Sequence, residues 1–433
     1  ELLRYFLIQW SAIGNYWGQP FYLGGTNADG SSKYNDLSYL ILETYDKIGI
    51  YNPKIQLKIN KNTPEKLLNF VFDMVRRGKN SFAFMCEPGM AKAMRSYGAT
   101  EEESREADIR GCYKTGVRAN EVSSATGYVN AAKAVEYVFF NGYDKKLHEV
   151  FGLRTGEIGG ENGADACGIN DEKGGNAPFE TFEKFYAAVK AQLKALLEKT
   201  MRVADEYEKY FSYINPSLMY SATVEGALEK GKDAYQSGVK YNNSSVLTAG
   251  FATLTDAVSA VKEFVYEKKR ITLAQLKQAL SDNWSGYGNL RATVLASPHK
   301  YGNDDDEADA MARRCGEDYC IDFKRYTGYR GASFQPGLQS ISAHALFVGS
   351  LGATPDGRTK QMLVSDGGVS PAQGRDICGP TAAMLSVAKL NHLEATNGAL
   401  LNVKFHPSAV KGERGLENLC ALTDAFFGLG AQH

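Results

Sequence analysis

The sequence predicts an α/β fold with mostly parallel strand pairing. Three observations point there: long stretches of helical periodicity, short β-prone runs set between them, and an ordinary globular composition. Of 433 residues, 43% are hydrophobic and 23% charged, as in soluble globular chains. Strands that alternate with helices favour a parallel sheet built through crossover connections.

The helices are legible from caps and stripes. "NTPEKLLNFVFDMVRRG" offers Thr63 as N-cap, Pro64 in the first turn, an apolar stripe and Gly78 as the stop. Residues 180–212 hold about nine turns of unbroken helical periodicity, without Gly or Pro. Further helices are expected over 131–141, 254–267, 272–282, 305–316, 381–391 and 415–427. The β-prone runs are "KIQLKI" (54–59), "SFAFM" (81–85), "GVKYN" (238–242) and "ALLNVKF" (399–405). The glycine-rich segment 152–176 reads as a long loop. No internal repeat or low-complexity tract occurs; the length suggests two or three domains, although a large α/β barrel would run as one unit over residues 1–433.

Composition narrows the function. A net charge of −1 with no basic block gives no nucleic-acid or membrane-surface signature, and no apolar run approaches the roughly 20 residues of a membrane span. Seven cysteines, an odd number without a repeated close pair, suggest a reduced, cytoplasmic setting and no zinc site. The chain opens "ELLRYFLIQW" and closes "DAFFGLGAQH". Both ends read as cuts through a larger protein, with no signal-peptide layout.

Candidate chemistry is sparse. "GEIGGENG" (156–163) follows no strand and opens no helix, so it reads as loop rather than phosphate cradle. "YGNDDDEADAMARR" (301–314) clusters carboxylates, but Asn303 or Asp304 capping a helix with an acidic first turn explains them without a metal. Cys112 stands apart. It lies in "EADIRGCYKTGVRANE", in polar company, with Arg110, Lys114 and Arg118 nearby. Three readings are open: a structural thiol, a thiolate whose pKa neighbouring cations depress, and a thiol that exchanges hydrogen atoms as a thiyl radical. The second requires a histidine base within reach. The third requires a loop tip inside a dry cavity.

Ordered blocks along the chain resemble the glycyl radical enzymes, the pyruvate formate-lyase-like superfamily. They are "YLGGTNADGSSKYNDLSYLILE" (22–43), "YGATEEESREADIRGCYKTG" (97–116), "EGALEKGKDAYQSGVKYN" (225–242), "KYGNDDDEAD" (300–309), "LGATPDGRTKQMLVSDGGVSPAQGRDICGPTAAMLSVAKL" (351–390) and "GALLNVKFHPS" (398–408). The last two look like the family's late barrel region. The resemblance implies a ten-stranded α/β barrel of two five-stranded halves ringed by helices, incomplete here at both ends. It implies that Cys112 is the thiyl cysteine at a loop tip. It also implies a glycyl radical, installed by a separate radical S-adenosylmethionine activase on a glycine beyond this chain, because the family's Arg-Val-x-Gly-Tyr sequence does not occur in it. No cofactor is then bound by this chain. A homodimer and a small polar, anionic substrate follow from the same resemblance, with Lys114, Tyr113 and Arg118 toward that substrate. The expected reaction is elimination of the dehydratase type, or C–C or C–X cleavage. Lys114 stands where many family eliminases have glutamate, and Tyr113 excludes the paired cysteines of the pyruvate-cleaving members. A formate acyltransferase-like cleavage and a non-catalytic paralogue or subunit are the alternatives.

Overall fold

The computed structural model describes residues 1–13, 20–111, 113–122, 124–140, 142 and 179–432. The chain divides into two compact units. One comprises Glu1–Ser123, Ser217–Asn242 and His392–His433; the other comprises Ser124–Pro216 and Asn243–Asn391. The glycine-rich segments at 152–176 and 156–163 lie outside the described residues.

The first unit is built on three parallel strands, β1 (Phe21–Gly24), β2 (Ile55–Ile59) and β3 (Phe82–Cys86), in that spatial order. Phe21 lies opposite Ile55, and Ile55 in turn opposite Phe82. Helix Asp36–Ile48 crosses from β1 to β2, and helix Glu65–Arg76 from β2 to β3. Asn35 and Ser38 form a reciprocal cap at the start of the first helix, satisfying amides that a helix N-terminus leaves orphaned. In the second helix Leu67, Val71 and Met74 recur at helical spacing and pack with Leu42, Tyr45, Ile55 and Leu57. Thr63 does not cap that helix. Its hydroxyl instead accepts the Asn60 amide at 3.0 Å, and the helix starts from Pro64.

An antiparallel hairpin follows, β4 (Ala107–Arg110) with β5 (Lys114–Val117). Helix Glu101–Arg105, capped by Thr100 and Glu103, leads into it.

The second unit has a parallel sheet of β6 (Ser124–Asn130), β7 (Ser244–Ala249) and β8 (Phe334–Gly337). Between β6 and β7 runs helix Phe182–Ile214, whose buried side carries Phe185, Val189, Leu193, Leu197 and Met201 at four-residue steps. Glu208 continues that buried side and would be stranded there without a partner. Arg330, almost fully buried, meets it at 3.0 Å. The other predicted helices appear as Lys133–Phe139, Phe251–Val261, Leu273–Ser281, Asp306–Lys324, Pro380–Ala388 and Gly412–Gly428. Gly250, at φ +73°, precedes Phe251–Val261, and a π-helical stretch, Lys262–Glu267, continues it.

Several expectations change. The cap at the acidic cluster is Asp305, which accepts the Ala308 amide at 2.9 Å, rather than Asn303 or Asp304. Lys389 answers the surrounding charge, reaching Asp304 at 2.7 Å, Asp309 at 2.8 Å and Asp306 at 3.1 Å. "GVKYN" forms only an isolated bridge between Tyr241 and Glu121; the strand starts later, at Ser244. Residues 400–405 form no strand. β propensity records fit to a pleated, half-buried surface, and among the described residues the run 399–405 makes a bridge at Ala399 without forming a strand. Against the ten strands that the resemblance implies, eight lie among the described residues, in three sheets.

Candidate active site

The β4–β5 hairpin carries every residue the sequence singled out, or lies directly before it. Arg110 and Lys114 face each other at its end, so Gly111, Cys112 and Tyr113 form a three-residue connection. Gly111 has φ +58°, a left-handed conformation that glycine adopts without a Cβ penalty. Cys112 itself lies outside the described residues.

The hairpin rests on β2 through two polar side chains. Gln56, fully buried, donates from Nε2 to the Gly111 carbonyl at 3.2 Å. Lys58, two residues along and therefore on the same face, pairs with Asp108 of β4 at 3.2 Å. Tyr22 of β1 donates its hydroxyl to the other Asp108 oxygen at 2.8 Å, and Lys58 Nζ stands 5.4 Å from the Tyr22 ring centre. Desolvation, reinforced by the Asp108 charge, pushes the Tyr22 phenol up to about 12. Beside β3, Glu87 ties the strand ends together, accepting from the Thr26 amide at 2.9 Å, the Thr26 hydroxyl at 2.8 Å and Asn60 at 2.6 Å.

The far strand is held as firmly. The Glu121 carboxylate accepts the Val117 amide at 2.7 Å and the Tyr97 hydroxyl at 2.9 Å. Burial, then the Glu121 charge, raises the Tyr97 pKa. Thr115 donates to the Thr396 carbonyl at 2.9 Å. The Arg110 guanidinium folds back over Gly116 to the Val117 carbonyl and reaches the Tyr220 hydroxyl at 3.3 Å. A Cβ at Gly116 would collide with the Arg110 side chain, so that glycine permits a close approach.

The predicted substrate residues sit in three different settings. Lys114 is half-buried at the first position of β5. Tyr113 packs at the edge of a cluster containing Met85, Met90, Ile109 and Val117, with Lys54 Nζ 5.7 Å from its ring centre. The Arg118 side chain is 63% exposed beyond the hairpin and pairs with Glu106 at 3.2 Å. Lys33 meets the same carboxylate at 2.8 Å. Hydrogen bonding to Lys33, then its charge and Arg118, holds Glu106 below the usual carboxylate range. The sequence reading missed Tyr22, Gln56, Lys58 and Asp108. Among the described residues no cluster of three or more His, Cys, Asp or Glu is suited to a metal ion, and no helix is long and apolar enough to cross a membrane.

The described residues thus give a parallel-sheet α/β unit with a hairpin braced on its central strand. Residues 12–348 match the pyruvate formate lyase-like family, and the chain belongs to that family. Residues 365–433 match the family described as glycine radical. This corrects two expectations. The glycine radical part does not lie wholly beyond the chain, and the blocks at 351–390 and 398–408, read as late barrel, fall largely within it. The Arg-Val-x-Gly-Tyr sequence itself remains absent from the 433 residues.

The trans-4-hydroxy-L-proline dehydratase of Clostridioides difficile is 32% identical over 95% of this chain and 49% of its own length. The isethionate sulfite-lyase of Desulfovibrio desulfuricans is 28% identical over 95% of this chain and 48% of its own. The glycerol-bound B12-independent glycerol dehydratase of Clostridium butyricum superposes with a TM-score of 0.86 at 31% identity, over 96% of this chain and 50% of that one. The chain thus spans about half the length of the relatives it matches.

Proposed function

We propose that the protein containing this chain is a glycyl radical dehydratase or lyase, and that Cys112 is its hydrogen-abstracting residue. The observation that carries this reading is a cysteine in a glycine-led hairpin connection braced on the central strand of a parallel sheet, within a chain matching both the pyruvate formate lyase-like and glycine radical families. The similar proteins named above are dehydratases and a sulfite-lyase for small polar compounds, which supports an elimination.

In this reading a glycyl radical, once installed by a separate radical S-adenosylmethionine activase, would accept the hydrogen atom of the Cys112 thiol, a glycine Cα–H bond forming as the S–H bond breaks, and leave Cys112 as a thiyl. The Cys112 sulfur takes a hydrogen atom from a substrate carbon, becoming S–H. The substrate radical expels its leaving group, and the product radical recovers a hydrogen atom from the same S–H. The protein's share is orientation and exclusion of side reactions. Lys114 holds an anionic group of the substrate as a compact cation. Lys114 is the leading binding residue of the three because it opens β5 directly beside the connection, whereas the Arg118 side chain is largely exposed beyond the hairpin. The reading includes one barrel domain over residues 1–433, a homodimer, and a cytoplasmic, anaerobic setting.

The test is anaerobic activation of the full protein followed by electron paramagnetic resonance and turnover assays with trans-4-hydroxy-L-proline, isethionate and glycerol. Cys112→Ser should keep the glycyl doublet and the fold while losing turnover, because an O–H bond is too strong to exchange hydrogen readily with a glycyl radical. Substantial turnover by Cys112→Ser, or no doublet in the wild type, refutes the reading.

A further inference from the structure

We infer that Gln56 is a positioning residue whose side chain, through the Gly111 carbonyl, holds the β4–β5 turn that leads to Cys112. The inference rests on the functional reading above only for the consequence it assigns to that hold; the geometry is independent of it.

Strand β2 is paired on both sides, and all five of its residues are buried. It is therefore the least mobile reference available to the hairpin. Glutamine is mostly an exposed residue, and a buried amide lacking hydrogen bonds is costly. Gln56 is completely buried on this central strand, and its Nε2 is directed at the Gly111 carbonyl, 3.2 Å away and 55 positions along the chain.

That carbonyl belongs to the peptide unit joining Gly111 to Cys112. A peptide unit is planar, with a high barrier to rotation, so holding its oxygen holds the plane in which the next residue begins. Gly111, at φ +58°, is the most permissive residue at this point and so gives the turn little stiffness of its own. Lys58 grips Asp108 at the base of β4, three residues before Gly111. The two contacts divide the work: the Lys58–Asp108 pair anchors the strand, and Gln56 holds the turn. The nearby charged side chains on the hairpin, Arg110 and Lys114, lie at the opposed positions just outside the connection. A misplacement of about 1 Å at a reacting group lowers rates by roughly a hundredfold, so a holder for this turn has a kinetic consequence that its modest energy conceals.

The experiment uses the full, unactivated protein and two variants without the donor, Gln56→Leu and Gln56→Met, the second as a close shape match should the first not fold. Hydrogen-exchange mass spectrometry follows peptides over 106–118. Peptide mapping after timed iodoacetamide treatment follows alkylation of Cys112. Loss of one net hydrogen bond should raise both rates by about threefold to tenfold, with the urea midpoint of the whole protein and exchange over 65–76 unchanged. Wild-type rates in Gln56→Met would overturn the inference, as would a rise matched by a general loss of stability. Activity retained in Cys112→Ser would instead overturn the functional reading and leave the role of Gln56 in the hairpin standing.

Discussion

Asp256 gives the clearest test of the second unit's energetics. It lies in helix Phe251–Val261, fully buried, and its Oδ1 accepts the Tyr301 amide at 3.0 Å while Oδ2 has no hydrogen-bond partner. Desolvation dominates its environment and outweighs attraction to Lys300, raising the carboxyl from 3.8 to about 6. A shift of about 2 units corresponds to about 3 kcal/mol. The folded-state pKa lies above the unfolded one, so between about pH 4 and 6 the native state keeps a proton that the unfolded chain has released. Stability from this group is therefore complete below about pH 4, declines as pH rises, and is fully lost above about pH 6. Asp256→Asn cannot ionise yet keeps the acceptor for Tyr301. Its added N–H2 leaves a similar unmet group at every pH, so the comparison between two pH values isolates the charge. Relative to wild type, the asparagine variant should gain about 3 kcal/mol between pH 4 and pH 7. Urea unfolding followed by tryptophan fluorescence measures this, since Trp284 is buried in the same unit. A pH-independent difference between the two proteins would refute the reasoning.

How far the chain was legible depended on whether local or distant residues decide each element. Helix Phe182–Ile214 could be read because its four-residue stripe and Thr181 cap are written within it. Strand β2 could be read from its alternation and β3 from an apolar run. β8, "FQPG", could not, because proline and glycine argue against a strand. Among the described residues it is an outer strand that pairs with β7 alone. "ALLNVKF" shows the opposite error, a β-prone run that makes a bridge at Ala399 and no strand among the described residues. At the site, Cys112 drew notice through its own charged neighbours. Gln56 and Lys58 drew none, because polar residues alternating with Ile55, Leu57 and Ile59 read as a solvent face. That face is instead covered by a hairpin about 50 residues away. Periodicity says which residues share a face, and only the fold says what that face meets.

Two further predictions concern charges. Glu208→Ala should destabilise the second unit by about 3–5 kcal/mol in urea unfolding, since it removes the buried carboxylate that the Arg330 guanidinium meets and that Ser124 and Ser244 donate to. Glu208→Leu combined with Arg330→Met should recover much of that loss, and equal losses in the single and double variants would contradict this account. Lys114→Met tests the substrate reading. The substitution keeps an unbranched stem at a half-buried position on β5 and removes only the cation. In the activated full protein, KM for an anionic substrate such as isethionate should rise tenfold or more, given roughly 2–5 kcal/mol for a buried charge left unpaired. KM for neutral glycerol and the urea midpoint should stay close to wild type. A parallel rise for both substrates would mean that Lys114 supports the hairpin rather than the anion, and an unchanged KM for both would remove it from the binding site.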